Sequence, residues 1–227
     1  MKEFYQVTKA ILMKDIKTEL RSREFLGNTF MFALLVIIIF NFAFKLTPVN
    51  TPELASGILW IAFLFSGTLG LGRSFQVEKE NECIQGLALT PVDRTAIYWA
   101  KTAGNMIFLA TIQIIIIPVF IVLYNHNVME HPLEMITVIL LGDFGFMALG
   151  TIIAAMSVNL KARELLLPVL LLPLLVPLII FAASATSALI HTGNLDLFYS
   201  RAKLMAAFDI LFFVVSSLVF EYIVDES

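Results

Sequence analysis

The fold class this sequence predicts is all-α: a polytopic membrane protein with six transmembrane helices, an N-terminal interfacial amphipathic helix and a short cytoplasmic helix between spans 2 and 3. Three observations carry that reading. Hydrophobic residues make up 59% of the 227 positions and charged residues 15%, against roughly 25% charged in a typical soluble domain. Six apolar runs, at 28–44, 54–71, 103–124, 135–158, 165–190 and 204–224, have the length of about 20 residues that crosses ~30 Å of hydrocarbon. The connections between them are short, which leaves no room for a folded soluble domain. The chain 1–227 therefore reads as a single integral membrane domain.

Residues 1–27 come first. Tyr5, Leu12, Ile16 and Leu20 recur at helical spacing on one side, and Lys14, Lys17, Arg21 and Glu24 on another. That pattern fits a helix lying on the membrane surface, although Lys9 and Arg23 interrupt the apolar side. Charges precede the apolar run over more than twenty residues, so no cleavable signal peptide is expected.

The second span closes on Gly67-Thr-Leu-Gly-Leu-Gly72-Arg73-Ser74. This nearly spells a phosphate-binding loop, but the required lysine is Arg73, no strand precedes it, and the segment ends a membrane helix. The glycines instead allow close helix approach, with Ser66 and Gly70 forming a small-xxx-small pair. If ATP drives this protein, another chain binds it.

Arg73–Lys101 is a mostly polar stretch of 29 residues between two apolar runs. Glu78, Glu80 and Glu82 crowd its first half, Leu87 and Leu89 follow, Pro91 breaks it, and Arg94 and Lys101 mark the start of the next span. The order of acids, leucines, proline and base fits a short helix parallel to the membrane whose acidic end meets a cytoplasmic partner; the alternative is a solvated loop whose charges only set topology. A six-span bundle with one such segment points to a permease subunit with its motor on another chain.

Polar groups at membrane depth are expensive and often functional. Asp143 falls about eight residues into the fourth span, beside Gly142 and Gly145, with no basic residue near it in sequence. It has either a functional or packing role, or a wet position near the outer interface. Asn41, Asn105 and Gln113 are milder cases. The fifth span carries Pro168, Pro173 and Pro177. Each removes a backbone donor and clashes with the preceding turn, so this helix should face the bundle interior or a subunit interface, as a static kink or as a moving hinge.

Basic residues set orientation. With the N-terminus inside, inner segments hold twelve Lys and Arg: six before the first span, four in Arg73–Lys101 and two in Lys161–Arg163. Outer segments hold three, Lys45, Arg201 and Lys203. Both termini are therefore expected in the cytoplasm. The single cysteine, Cys83, falls inside and has no internal disulfide partner. His126, His131 and His191 fall outside, either as solvated groups or as iron ligands.

The Glu78-x-Glu80…Leu87-x-Leu89-x-Pro91-x-x-Arg94…Lys101 stretch resembles the coupling segment of ABC-2-type export permeases. Leu172-Pro173-Leu-Leu-Val-Pro177-Leu-Ile-Ile-Phe181, with Gly57-Ile-Leu-Trp60-Ile-Ala62 in the second span, resembles the CcmB haem-exporter family, the permease component of the cytochrome c maturation system. The likeness covers nearly the whole chain in length, span number and motif order. It departs from the family at Glu82 and Cys83, where members often carry Asp and Gly.

The resemblance implies a non-catalytic permease in the bacterial inner membrane, with a cytoplasmic coupling helix built on Glu78, Glu80, Glu82, Leu87, Leu89, Pro91 and Arg94. Its implied partners are an ABC ATPase subunit that holds the ATP, a second and haem-handling membrane subunit, indirectly a periplasmic haem chaperone, and membrane lipid. Nucleic acid is not expected. No cofactor is expected to be bound directly; haem would be the handled substrate, and ATP energy would drive haem transfer or release of the loaded chaperone. Two other readings remain. A generic ABC-2 exporter for a lipid-linked glycan or a drug would be told apart by its partner subunits. An intramembrane hydrolase would use Ser66-Gly67, but rhomboid-like sites need glycine where Leu64 stands, and no histidine lies mid-span to activate a serine.

Overall fold

The computed structural model describes residues 2–21, 23–45, 52–80, 94–125, 130–157 and 163–225. Along them run α1 (Lys2–Arg21), α2 (Arg23–Lys45), α3 (Pro52–Glu80), α4 (Arg94–Tyr124), α5 (Pro132–Ser157), α6 (Arg163–Ser187) and α7 (Leu195–Asp225). A π-helical turn, Ala188–Thr192, continues α6. Six helices, α2 to α7, are long and apolar enough to cross a membrane, and no strand occurs among the described residues. The all-α, six-span class is as expected.

Around the polar stretch the helices reach beyond the apolar runs, and α4 opens at Arg94, where the next span was expected to start. Helix α3 continues to Glu80 where the apolar run stops at 71, and α4 begins at Arg94 where the next run starts at 103. Arg73–Glu80 contains neither glycine nor proline, so nothing in it opposes continued helix once the chain has left the hydrocarbon. Both flanks of Arg73–Lys101 are thus helical. Residues 81–93, with Glu82, Cys83, Leu87, Leu89, Pro91 and the expected coupling helix, lie outside the described residues.

Helix α5 is the centre of the bundle and packs on α3, α4, α6 and α7. Two thirds of its span (67%) is buried against 22% for α2 and for α7. Its composition explains this: Gly142, Gly145, Ala148, Gly150, Ala154 and Ala155 keep its surface thin, and small residues are what let membrane helices approach. Large side chains from neighbours fill the gaps. A Cβ at Gly142 would strike the Trp60 indole, and one at Gly150 would strike Leu71. The second-span glycines act likewise, Gly67 facing Phe146 and Gly70 facing Phe108.

Helix α6 runs unbroken through its three prolines. Leu171, Leu175, Leu178 and Ala182 form its buried stripe. Pro173 and Pro177 lie on the opposite, exposed side with Val169, Val176 and Ile180, and Pro168 is half-buried. Of the two expected settings, bundle interior or subunit interface, the interior face of α6 within this chain is taken by the leucine stripe at i, i+4, i+7 and i+11, and Pro173 and Pro177 lie on the face away from it.

Helix α1 does not stand apart from the bundle. It lies along α4 and barely touches α2. Its inward face is Val7, Ile11 and Asp15 rather than Tyr5, which is 67% exposed.

Candidate functional site

One stripe of α4 organises the polar interior. Tyr98, Lys101, Asn105, Leu109, Ile112, Gln113, Ile116 and Phe120 are all buried, at the three- and four-residue steps that share a helix face. Lys101, Asn105 and Gln113 sit four and eight residues apart on it, about 6 and 12 Å along the axis at ~1.5 Å per residue. The Tyr98 hydroxyl donates to the Ala148 carbonyl at 2.9 Å. The Asn105 amide donates to the Thr151 hydroxyl at 3.3 Å, and the Gln113 amide to Asp143 Oδ1 at 2.7 Å. All three bonds tie α4 to α5. Buried polar groups need such partners, since each left unmade in an apolar medium costs on the order of 1–3 kcal/mol.

Lys101 is the most deeply buried cation described, 2% exposed. Its Nζ lies 2.9 Å from Asp15 Oδ2 of α1 and 5.6 Å from the centroid of the Phe75 ring of α3. Nearby, α1 packs on Gly104: a Cβ there would sit 3.7 Å from Asp15 Cβ and Leu12 Cδ1, ordinary contact. Phe4 adds an edge-to-face contact with Trp99 at 5.9 Å. An ammonium taken out of water needs a counter-charge, and α1 supplies it.

At mid-bundle, Asp143 is 1% exposed and Asp209 of α7 is 3% exposed. Asp143 has its Gln113 bond, whereas neither Asp209 carboxyl oxygen has a hydrogen-bond partner. Gly145 makes room for Asp209: a Cβ on it would collide with Asp209 Oδ1 and press on Leu178 of α6. Asp143 is therefore a buried, bonded group facing α4 and not a wet interfacial one. Near this depth the Trp60 indole N–H donates to the Thr186 hydroxyl at 2.9 Å, joining α3 to α6.

At the far end, Asn41 donates to the Leu123 carbonyl at 3.0 Å and the Tyr124 hydroxyl to the Ile37 carbonyl at 3.2 Å, pinning α2 to α4. His131 stands just before α5, and His191 lies in the π turn that ends at Gly193, whose φ of 57° is left-handed. A Cβ on Gly193 would meet His131 Nε2 at 3.5 Å, so both histidines belong to one end of the bundle. His126 lies outside the described residues. No cluster of three or more metal-binding side chains occurs among the described residues.

The sequence-predicted residues fall in three places. Glu78 and Glu80 end α3 and Arg94 opens α4, flanking residues 81–93. Asp143 sits in the α4–α5 seam, and the prolines lie on the exposed side of α6. These three groups do not converge. Ser66 donates to the Ala62 carbonyl of its own helix at 2.7 Å, the usual back-bond of a helical serine. Asp15, Lys101 as a buried group, and Asp209 were not singled out from sequence. Asp209 was findable, being an acid five residues inside an apolar run.

A thin central helix, a buried polar stripe and an N-terminal helix ion-paired to one end define this as a polytopic α-helical membrane protein built on a six-span bundle. Residues 6–225 match the CcmB protein family, and the chain belongs to that family, as the Gly57–Ala62 and Leu172–Phe181 segments led us to expect. It is similar to Heme exporter protein B of Rhodobacter capsulatus, 33% identical over 175 residues, covering 77% of this chain and 80% of that protein. It is also similar to the proteins of the same name from Paracoccus denitrificans, 30% identical over 177 residues (78% and 81%), and Escherichia coli K12, 30% identical over 179 residues (78% and 80%).

Proposed function

We propose that this chain is the non-catalytic permease subunit of an ABC transporter that handles haem for cytochrome c maturation in the bacterial inner membrane. The observation that carries the proposal is the family match from residue 6 to 225, with relatives named Heme exporter protein B whose own length it covers to about four fifths. ATP is bound and hydrolysed by a separate ATPase on the cytoplasmic side. Its stroke enters through the stretch from Glu78 to Arg94, which joins the two longest helices of the bundle's first half. The outcome is transfer of haem, or release of a haem-loaded chaperone, at the opposite face. A second, haem-handling membrane subunit packs against the bundle, and the exposed proline side of α6 is the face that meets a partner.

The test is co-purification and loss of function. Isolated in mild detergent from its native membrane, the protein should bring down an ABC ATPase and a haem-handling membrane subunit. Deletion should abolish covalent haem attachment to c-type cytochromes, and the wild-type chain should restore it. Normal cytochrome c in the deletion strain, with glycan enzymes in the purified complex, would replace this reading by the generic exporter.

A further inference from the structure

Three helices meet at one buried charge. Lys101 belongs to α4, its partner Asp15 to α1, and the ring over it, Phe75, to α3. Phe75 lies five residues before the end of α3 and Lys101 seven after the start of α4. These two side chains are thus each about one to two turns from the stretch that joins α3 to α4. A displacement of the α3–α4 connection would reach Phe75 and Lys101 through these short helix ends.

We propose that Asp15 and Lys101 form a positioning pair that carries displacement of the α3–α4 connection into α1. The proposal rests on the coupling role assigned above to the Glu78–Arg94 stretch. The chemistry suits a transmitted, reversible contact better than a fixed one. Leucines at both positions would hold α1 in place as well, since a buried ion pair is rarely more stabilising than an apolar pair of similar volume. What the charged pair adds is a steep dependence on its surroundings: the attraction falls roughly fourfold on passing from an effective dielectric of about 20 to that of water. Lys101 is 2% exposed and the Asp15 side chain 16% exposed, so the contact is nearly dry with one wet edge. Small separation of α3 from α4 would admit water, weaken the pair and free α1; closure would dry it and recapture α1. The Phe4–Trp99 contact is a second attachment of α1 to α4 that keeps it close for recapture.

The test uses the whole complex reconstituted in lipid, with covalent haem attachment and ATP hydrolysis measured together. Wild type is assayed first; absence of an ATPase partner or of ATP-dependent haem attachment would refute the proposed function itself. In a complex that passes, the apolar double variant Asp15→Leu/Lys101→Leu should assemble but lose about tenfold in haem attached per ATP hydrolysed, within the usual range of roughly 5–150-fold for coupling between sites. The exchanged pair Asp15→Lys/Lys101→Asp should recover most of that ratio. A fully coupled apolar variant would show that the pair only anchors α1. If the apolar variant does not assemble, the decision passes to spin labels on exposed Met13 and Ile107, with the native Cys83 replaced by serine. In that otherwise wild-type complex, a distance that changes between nucleotide-free and ATP-bound states supports the proposal, and one that stays constant overturns it.

Discussion

At the scale of single residues, the interior is held by a few polar bonds and by glycines that make room for rings. Gly142 and Gly57 separate these effects. A methyl at Gly142 runs into the Trp60 indole, which cannot swing away without breaking its bond to Thr186. Gly142→Ala should destabilise by about 1–3 kcal/mol, the usual cost of overpacking. A Cβ added at Gly57 would meet nothing within 4 Å, so Gly57→Ala should be neutral or gain up to about 1 kcal/mol of helix propensity. Thermal unfolding in detergent measures both. Asp143 gives a second contrast. Asp143→Asn keeps an acceptor for the Gln113 amide, whereas Asp143→Leu strands it, costing about 1 kcal/mol or somewhat more. Equal midpoints for the two variants would show that the Gln113 bond carries no weight.

At the scale of elements, α6 and the α3–α4 connection are where function is expected to depend on helix mechanics. Pro173 and Pro177 leave the carbonyls of Val169 and Pro173 without their usual donors, so bending and straightening α6 differ less in energy than in an intact helix. Pro173→Leu/Pro177→Leu should insert and fold, since leucine is favourable at the bilayer centre by roughly 0.5 kcal/mol. ATP-dependent haem attachment should fall. A stably inserted, fully active variant would reduce the prolines to a packing feature. For the acidic half of the connection, one exposed ion pair is worth only about 0.2–1 kcal/mol. The informative change is therefore triple reversal of Glu78, Glu80 and Glu82 to lysine, expected to weaken recovery of the ATPase while insertion stays normal. Unchanged recovery and unchanged ATP coupling would remove these residues from the interface.

At the scale of the whole molecule, the basic residues predict sidedness. The one cysteine, Cys83, should react with a membrane-impermeant maleimide in inverted vesicles and not in intact spheroplasts; the reverse result would invert the topology. The number and order of spans were legible in the sequence alone, because twenty apolar residues in lipid must close their backbone bonds within one helix whatever surrounds them. The family was legible for a related reason, since prolines at 173 and 177 and the Gly57–Ala62 run are local strings that need no fold to be read. What only the tertiary structure decided is which face of each span turns inward. In lipid, hydropathy is nearly the same all round a helix, so inward faces are chosen by packing and hydrogen bonds between distant residues. Trp60 finds Thr186 at a separation of 126 residues, and Gln113 finds Asp143 at 30. The pair of Asp15 with Lys101 is of the same kind: a surface-helix acid and a span-end lysine, each ordinary in sequence, become one buried ion pair when α1 folds back onto α4.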